Sequence, residues 1–187
     1  IGQADTLIVI VGTPIDEHLN PRTDDLLNVF SAHRTQLHRG QLIILRSTVS
    51  PGTTAAVRTL IEELTDMHEG DDFHLVFAPE RVLQTHAIQE IKSLPQILVA
   101  FSDAGFERAE QFFNRFVQAG CLRLTPVEAE IGKLVTNMTR YISFAVANEF
   151  YIIADAFGAN IHRIIRACNA DYPRLNLPRP GPNVGGP

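Results

Sequence analysis

From Thr125 to Phe157 the chain contains one glycine, Gly132, and no proline after Pro126. Nothing in that stretch stops a helix once one has begun. Thr125-Pro126-Val127-Glu128 fits a capping box: a Thr N-cap, Pro at the first helical position, and Glu three residues after the cap. The spacing predicts a single helix to about Phe157, about 48 Å long at 1.5 Å per residue. Its apolar positions, among them Ile131, Leu134, Val135, Met138, Ile142, Val146, Phe150 and Ile153, are too many for one small sheet to cover. A second copy of the chain, in a homodimer, is the expected cover. Gly158 is expected to end the helix, and Asn160–Cys168 to form another short one.

Before Thr125 the pattern changes. Thr6–Val11 is a β-branched and aliphatic run, as in a strand covered on both faces. Thr23 is placed to cap a helix through Asp24–Leu37, with Leu26, Leu27, Phe30 and Leu37 near one face. Gln41–Leu45 reads as the next strand, and Ser50-Pro51 as the opening of a helix carrying Val57, Leu60, Ile61 and Leu64. Phe73–Phe77 and Ile97–Phe101 read as further strands, Asp103–Gln118 as a helix, and Cys121–Leu124 as a last short strand. Such alternation predicts an α/β fold with a parallel sheet and right-handed crossovers. Ligands in these folds bind beyond the carboxyl ends of the strands. Gly12–Pro14, Ser47–Val49 and Pro79–Gln84 are therefore the segments to inspect. Two domains are expected, residues 1–124 and 125–187.

Composition narrows the function classes. At 187 residues and 45% hydrophobic, the chain can bury a core. A net charge of −5 argues against a broad nucleic-acid footprint. No run approaches the roughly 20 apolar residues that span a bilayer, and no signal peptide is expected. Two cysteines, Cys121 and Cys168, fit a reducing cytoplasm and form no disulfide framework. The seven histidines show no metal-binding spacing, so no metal is expected. The start at Ile1, without Met, reads as a truncation, a processed form or a trimmed chain.

Few side chains suggest chemistry. Lys133 and Asn137 lie four apart on the long helix and share a face. A Lys can stabilise an oxyanion or act as a base, and an Asn amide can hold a substrate oxygen; a solvated helix stripe explains the same spacing. Thr13 and Thr48 follow strands, where hydroxyls suit a nucleotide or ribose, or simply shape a turn and a helix entry. Glu80 is a candidate acid/base or an ordinary solvated loop residue, and Arg81 beside it could pair with Glu80 or meet an anionic ligand. Cys168 and Cys121 read as structural. Asp171–Pro187, with five prolines and three glycines, is either disordered or a rigid functional loop.

Read in order, Val11–Pro14 (VGTP), Arg46–Thr54 (RSTVSPGTT), Ala78–Gln84 (APERVLQ), Glu128–Asn137 (EAEIGKLVTN) and Arg179–Pro187 (RPGPNVGGP) resemble the UDP-glucose/GDP-mannose dehydrogenase family. Five motifs in series span essentially the whole chain. The resemblance implies the second half of an NAD-binding Rossmann-like domain, then a central helical dimerisation domain ending in a substrate loop. It also implies oxidation of the C6 hydroxymethyl of a UDP-sugar to a carboxylate with two NAD⁺. In that chemistry a cysteine captures the aldehyde as a thiohemiacetal, which is oxidised to a thioester and hydrolysed.

By position, Thr13, Pro14, Ser47, Thr48 and Gln84 resemble cofactor contacts. Glu80 resembles the carboxylate that works with an ordered water, and Lys133 with Asn137 the pair that stabilises the oxyanion. Arg81, Val82 and Leu83 resemble backbone contacts to the sugar nucleotide. Arg174 resembles an arginine that reaches the partner subunit's substrate, and Arg179–Gly186, including Gly185, the loop over the sugar. The family's glycine-rich turn would precede Ile1 and its nucleophilic Cys would follow Pro187, so the isolated chain is expected to be inactive. Gln84 stands where many relatives carry Glu, and Thr85 where Gly is common. Pro79-Glu80-Arg81-Val82 leans toward N-acetylhexosamine enzymes. Two other readings compete: a non-catalytic dimerisation module, and a β-hydroxyacid dehydrogenase, against which the Gly-Gly-Pro ending and the Pro-Glu-Arg-Val segment argue.

Overall fold

The computed structural model describes residues 1–13, 17, 22–82 and 86–181. The chain divides into two compact units, Ile1–Lys133 and Leu134–Pro187.

The first unit is built on a five-stranded sheet in the order β1 (Thr6–Val9), β2 (Leu42–Leu45), β3 (His74–Phe77), β4 (Gln96–Ala100), β5 (Cys121–Arg123). The helices between them are α1 (Asp24–His33), α2 (Thr53–Thr65), α3 (Ala87–Ser93) and α4 (Asp103–Phe113). Strands β1, β2 and β3 pair in parallel, and so do β4 and β5. The pairing of β3 with β4 is antiparallel, with Val76 opposite Ala100 and Phe77 opposite Val99. The sheet is thus mostly parallel, and the expectation of a wholly parallel one is corrected at that pair. An apolar run signals a buried strand but carries no information about its direction.

All four residues of β2 are buried, as befits a central strand. One face of the sheet packs Ile43, Leu45, Leu75 and Phe77 against Leu26, Phe30, Val57 and Ile61 of α1 and α2. The other packs Leu42, Ile44, Val76 and Leu98 against Ala109 and Phe113 of α4. The run expected to form a strand covered on both faces to Val11 stops at Val9, and Ile8 is 47% and Ile10 76% exposed.

Two helix starts also differ from expectation. Thr23 has helical backbone angles and its side chain makes no cap; its carbonyl accepts from the N–H groups of Leu26 and Leu27 instead. Helix α1 ends at His33, with a 3₁₀ turn over Arg34–Gln36. Helix α2 begins at Thr53, not at Pro51, because Gly52 adopts a left-handed conformation (φ +91°) as its N-cap. Helix α3 had no sequence signal: it buries no residue, and its Ile88 is largely exposed.

Helix α5 (Pro126–Ala156) starts in the first unit and continues through the second. Its 31 residues make it about 46 Å long. The carboxylate of Glu128 accepts from both the N–H (2.8 Å) and the hydroxyl (2.6 Å) of Thr125. Those two bonds hold the Glu128 carboxyl below its ordinary pKa, the hydroxyl contributing most. The start is therefore where the capping pattern placed it. Gly158 (φ +62°) ends the helix in a Schellman motif, its N–H bonding Asp155 O while Ala159 N–H bonds Ala154 O.

In the second unit, α6 (Ile161–Asn169) is capped by Asn160, whose side chain accepts from Arg163 N–H. Ile161 and Ile165 pack with Ala154 and Leu177. The segment after α6 is ordered by two asparagines. Asn169 pairs with the peptide of Leu177 through both its oxygen (2.9 Å) and its nitrogen (3.0 Å). Asn148 does the same with Gly181 (3.1 and 3.4 Å). Leu177 is thus tied to α6 and Gly181 to α5, and residues 182–187 lie outside the described residues. Among the described residues no helix is long and apolar enough to cross a membrane.

Candidate functional site

The carboxyl ends of β1, β2 and β3 lie side by side, because these strands are parallel and in register. Three of the motif segments leave the sheet there. Between the first two, Thr13 donates its hydroxyl to Thr48 O, and Ser47 donates its own to Val11 O at 2.6 Å. Thr13 and Thr48 are half-buried, whereas Ser47 is only 6% exposed. Ser47 thus serves first as a tie between the two loops. Pro14 and Gln84 lie outside the described residues.

The loop after β3 centres on Glu80. Its Oε1 accepts from the N–H groups of Arg81 (2.8 Å) and Val82 (2.9 Å), and its Oε2 accepts from the Arg46 guanidinium. Burial alone would raise the carboxyl pKa. The Val82 N–H, the Arg46 guanidinium and the Arg81 N–H outweigh it, so Glu80 ionises below the usual range. The backbone carbonyl of Glu80 accepts from Lys133 Nζ, which brings α5 to the same loop. The structure therefore gathers Glu80, Arg81, Val82 and Lys133 in one place. Leu83 lies outside the described residues.

Arg81 resolves differently from the ion pair the sequence allowed. Its guanidinium donates to Pro95 O, and the ion-pair position on Glu80 is taken by Arg46. Arg46 was not singled out as chemistry-bearing by the sequence. It also bonds Gln96 Oε1 at 3.3 Å and lies over the Phe113 ring, 5.6 Å from its centre. Gln96 in turn donates to Pro79 O (3.3 Å) and Ile97 O (2.7 Å). Arg46 sat inside the RSTV motif, but nothing local tells which strand end its side chain will reach. Glu130 is likewise not among the residues whose type and spacing suggest chemistry: it is fully buried and bonds the start of α2. Nothing local marks it as buried; once buried, its carboxylate needs partners, and the start of α2 supplies them.

Asn137 is half-buried and belongs to the second unit, as do Arg174 and Arg179, both exposed. Arg174 stacks on Tyr172 at 5.0 Å and bonds its hydroxyl at 3.1 Å. Gly185 lies outside the described residues.

Two family models match the chain. Residues 1–117 match the NAD binding domain of the UDP-glucose/GDP-mannose dehydrogenase family, and residues 127–187 match that family's central domain. A UDP-N-acetyl-D-mannosamine dehydrogenase of Pyrococcus horikoshii is 34% identical over 186 residues, covering 98% of this chain and 43% of that protein. An NDP-N-acetyl-D-galactosaminuronic acid dehydrogenase of Ralstonia solanacearum is 31% identical, covering 98% of this chain and 45% of that protein. The solved structure of a UDP-D-ManNAc dehydrogenase from Pyrococcus horikoshii superposes with a TM-score of 0.88 at 32% identity, over 98% of this chain and 43% of that one. The chain thus spans less than half the length of the curated relatives it matches.

NAD is the cofactor of the matched domain. The residues present fit part of it. The ends of β1 and β2 offer neutral hydroxyl and carbonyl groups, and a Cβ added at Gly12 would meet nothing within 4 Å. A ribose or carboxamide can approach such a backbone closely. Fold, motif order and family match agree: the chain belongs to the UDP-glucose/GDP-mannose dehydrogenase family.

Proposed function

We propose that these residues are the middle of the active site of a cytoplasmic, NAD-dependent UDP-sugar 6-dehydrogenase. Its substrate is UDP-N-acetylmannosamine or a similar sugar nucleotide, and its product the uronate. The observation that carries the reading is the convergence of Glu80 and Lys133 at the carboxyl end of β3.

A carboxylate has about four acceptor positions. Arg46, Arg81 and Val82 occupy three around Glu80 and orient it. The group is kept ionised, so at neutral pH it accepts a hydrogen bond from, and orients, a water or hydroxyl held against it. The Lys133 ammonium, positioned at the Glu80 carbonyl, stabilises negative charge developing on the C6 oxygen. Thr13, Ser47 and Thr48 hold the NAD side of the site, and NAD when bound accepts the hydride. Asn137, Arg174 and Arg179 enter on their motif positions: Asn137 as an oxyanion partner, the arginines as contacts to the sugar nucleotide. Similarity to N-acetylhexosamine enzymes supports the sugar class.

Cys121 opens β5 and Cys168 lies on α6, and neither belongs to a motif of the site. Residues 1–187 alone are accordingly expected to show no turnover. The test is NADH formation by the complete protein with a panel of UDP-sugars. Reduction of NAD⁺ with an N-acetylhexosamine nucleotide, at two NADH per sugar, is expected. A complete protein that reduces NAD⁺ with none of them would end the proposal.

A further inference from the structure

Glu130 is 0% exposed, yet it carries a carboxylate. Its Oε2 accepts from Gly52 N–H at 2.6 Å, and its Oε1 accepts from Thr54 N–H at 2.8 Å and from the Thr54 hydroxyl at 2.6 Å. Gly52 is the N-cap of α2 and offers no side-chain cap of its own. Glu130 therefore supplies, from α5, the acceptor that the first turn of α2 needs. The positive end of the α2 dipole lies at the same point, which favours a carboxylate there.

One turn further along α5, on the same face, Lys133 reaches Glu80 O. The helix is thus held at two points to two neighbouring loops. Glu130 grips the loop after β2, which carries Ser47 and Thr48, and Lys133 reaches the loop after β3. We propose that Glu130 is a positioning residue: by bonding the N-terminus of α2 it fixes the depth and rotation of α5. It thereby sets where the Lys133 ammonium stands relative to Ser47, Thr48 and Glu80. The proposal rests on the reading of Lys133 as the group that stabilises charge on the substrate.

Mere packing would be satisfied by any side chain of equal shape. Glu130→Gln keeps the shape but turns one oxygen into an N–H₂, and every bond described here comes from a donor. One donor must then face another.

The variants are made in the complete protein, with kcat and KM measured for both substrates, alongside urea unfolding and amide exchange at Gly52 and Thr54. Glu130→Gln is expected to unfold cooperatively and to exchange faster at Gly52 or Thr54. Its kcat is expected to fall about tenfold to a hundredfold, with both KM values within about twofold, since misplacing a catalytic group by about 1 Å costs that much. Thr54→Val, which removes only the hydroxyl bond, should show a smaller loss in the same direction; it carries the test if Glu130→Gln does not fold. Wild-type kcat in a folded Glu130→Gln, or in Thr54→Val where that variant carries the test, overturns the proposal. So does a loss confined to KM. Lys133→Met separates the two ideas. If Lys133→Met is inactive while Glu130→Gln is normal, only the positioning role fails; if Lys133→Met is fully active, the functional reading beneath it fails.

Discussion

Arg46 and Glu80 leave the sheet at the ends of neighbouring strands, β2 and β3, and meet there as an ion pair. The guanidinium is mostly buried, while the carboxylate remains partly open to solvent. That arrangement fixes both the direction of the Glu80 carboxylate and its charge.

A pH dependence of stability follows. Glu80 ionises below the usual carboxylate range in the folded protein, with Arg46 among the causes. A carboxyl whose folded pKa is depressed stabilises the fold fully above its unfolded value, about 4.3. That contribution is lost as pH falls through the folded pKa. Arg46→Gln removes the guanidinium but leaves the burial, so the folded pKa of Glu80 should rise and the contribution shrink. Urea unfolding across a pH series should show a gap between wild type and variant that is widest near neutrality and narrows below about pH 4. Lost contacts to Gln96 and Phe113 add a pH-independent offset. A gap that stays constant with pH would show that the ion pair does not hold Glu80 ionised.

Much of this frame was legible in the residues. The uninterrupted stretch after Thr125 gave the long helix and its cap, because helix starts and stops are written in local chemistry. The direction of β4 was not legible, since the same apolar run pairs either way. The exposure of Ile8 and Ile10 was hidden for a related reason: both have interior composition whatever lies beside them. The site shows the same division. Glu80 and Lys133 stood in recognisable motifs, but Arg46, Gln96 and Glu130 act across 34 to 78 residues of sequence. No local pattern reports such pairings.

The proline-rich segment offers a second prediction. Asn169 matches the peptide of Leu177 with one donor and one acceptor. Asn169→Ala should cost about 1–2 kcal/mol, the worth of two ordinary hydrogen bonds. Asn169→Asp should cost a similar amount despite its shape, because its second oxygen would face Leu177 O. Exchange at the Leu177 amide should accelerate in both variants. Unchanged exchange in the Ala variant would mean the path is held by its prolines alone.

Gly158 supports a third. Its φ of +62° places it in the left-handed region, and a Cβ there would meet nothing within 4 Å. The cost of Gly158→Ala is therefore conformational, about 1 kcal/mol. Gly158→Asn should recover part of it, since Asn tolerates that conformation. Thermal unfolding midpoints in the order Gly, Asn, Ala are expected. A variant with Ala as stable as wild type would mean that the Schellman turn contributes little to ending α5.

The last prediction concerns the uncovered side of α5. Val135, Met138, Ile142, Val146, Phe150 and Ile153 follow one another at steps of three and four, which keeps them on one face. All six are exposed in the single chain, Met138 at 58% and Ile142 at 56%. The inner side of the same helix is narrower: Ala154 packs on Ile161 and Ile165. An apolar face of that length seldom stays open to water. We propose that a second copy of the chain covers it, as the large side chains at regular helical spacing suit a helix–helix contact. Ile142→Glu would place a charge in such a contact without a partner, at a cost of several kcal/mol. Sedimentation should therefore find a dimer for wild type and at least a hundredfold weaker association for the variant, with unfolding of the monomer unchanged. A monodisperse wild-type monomer would refute the pairing.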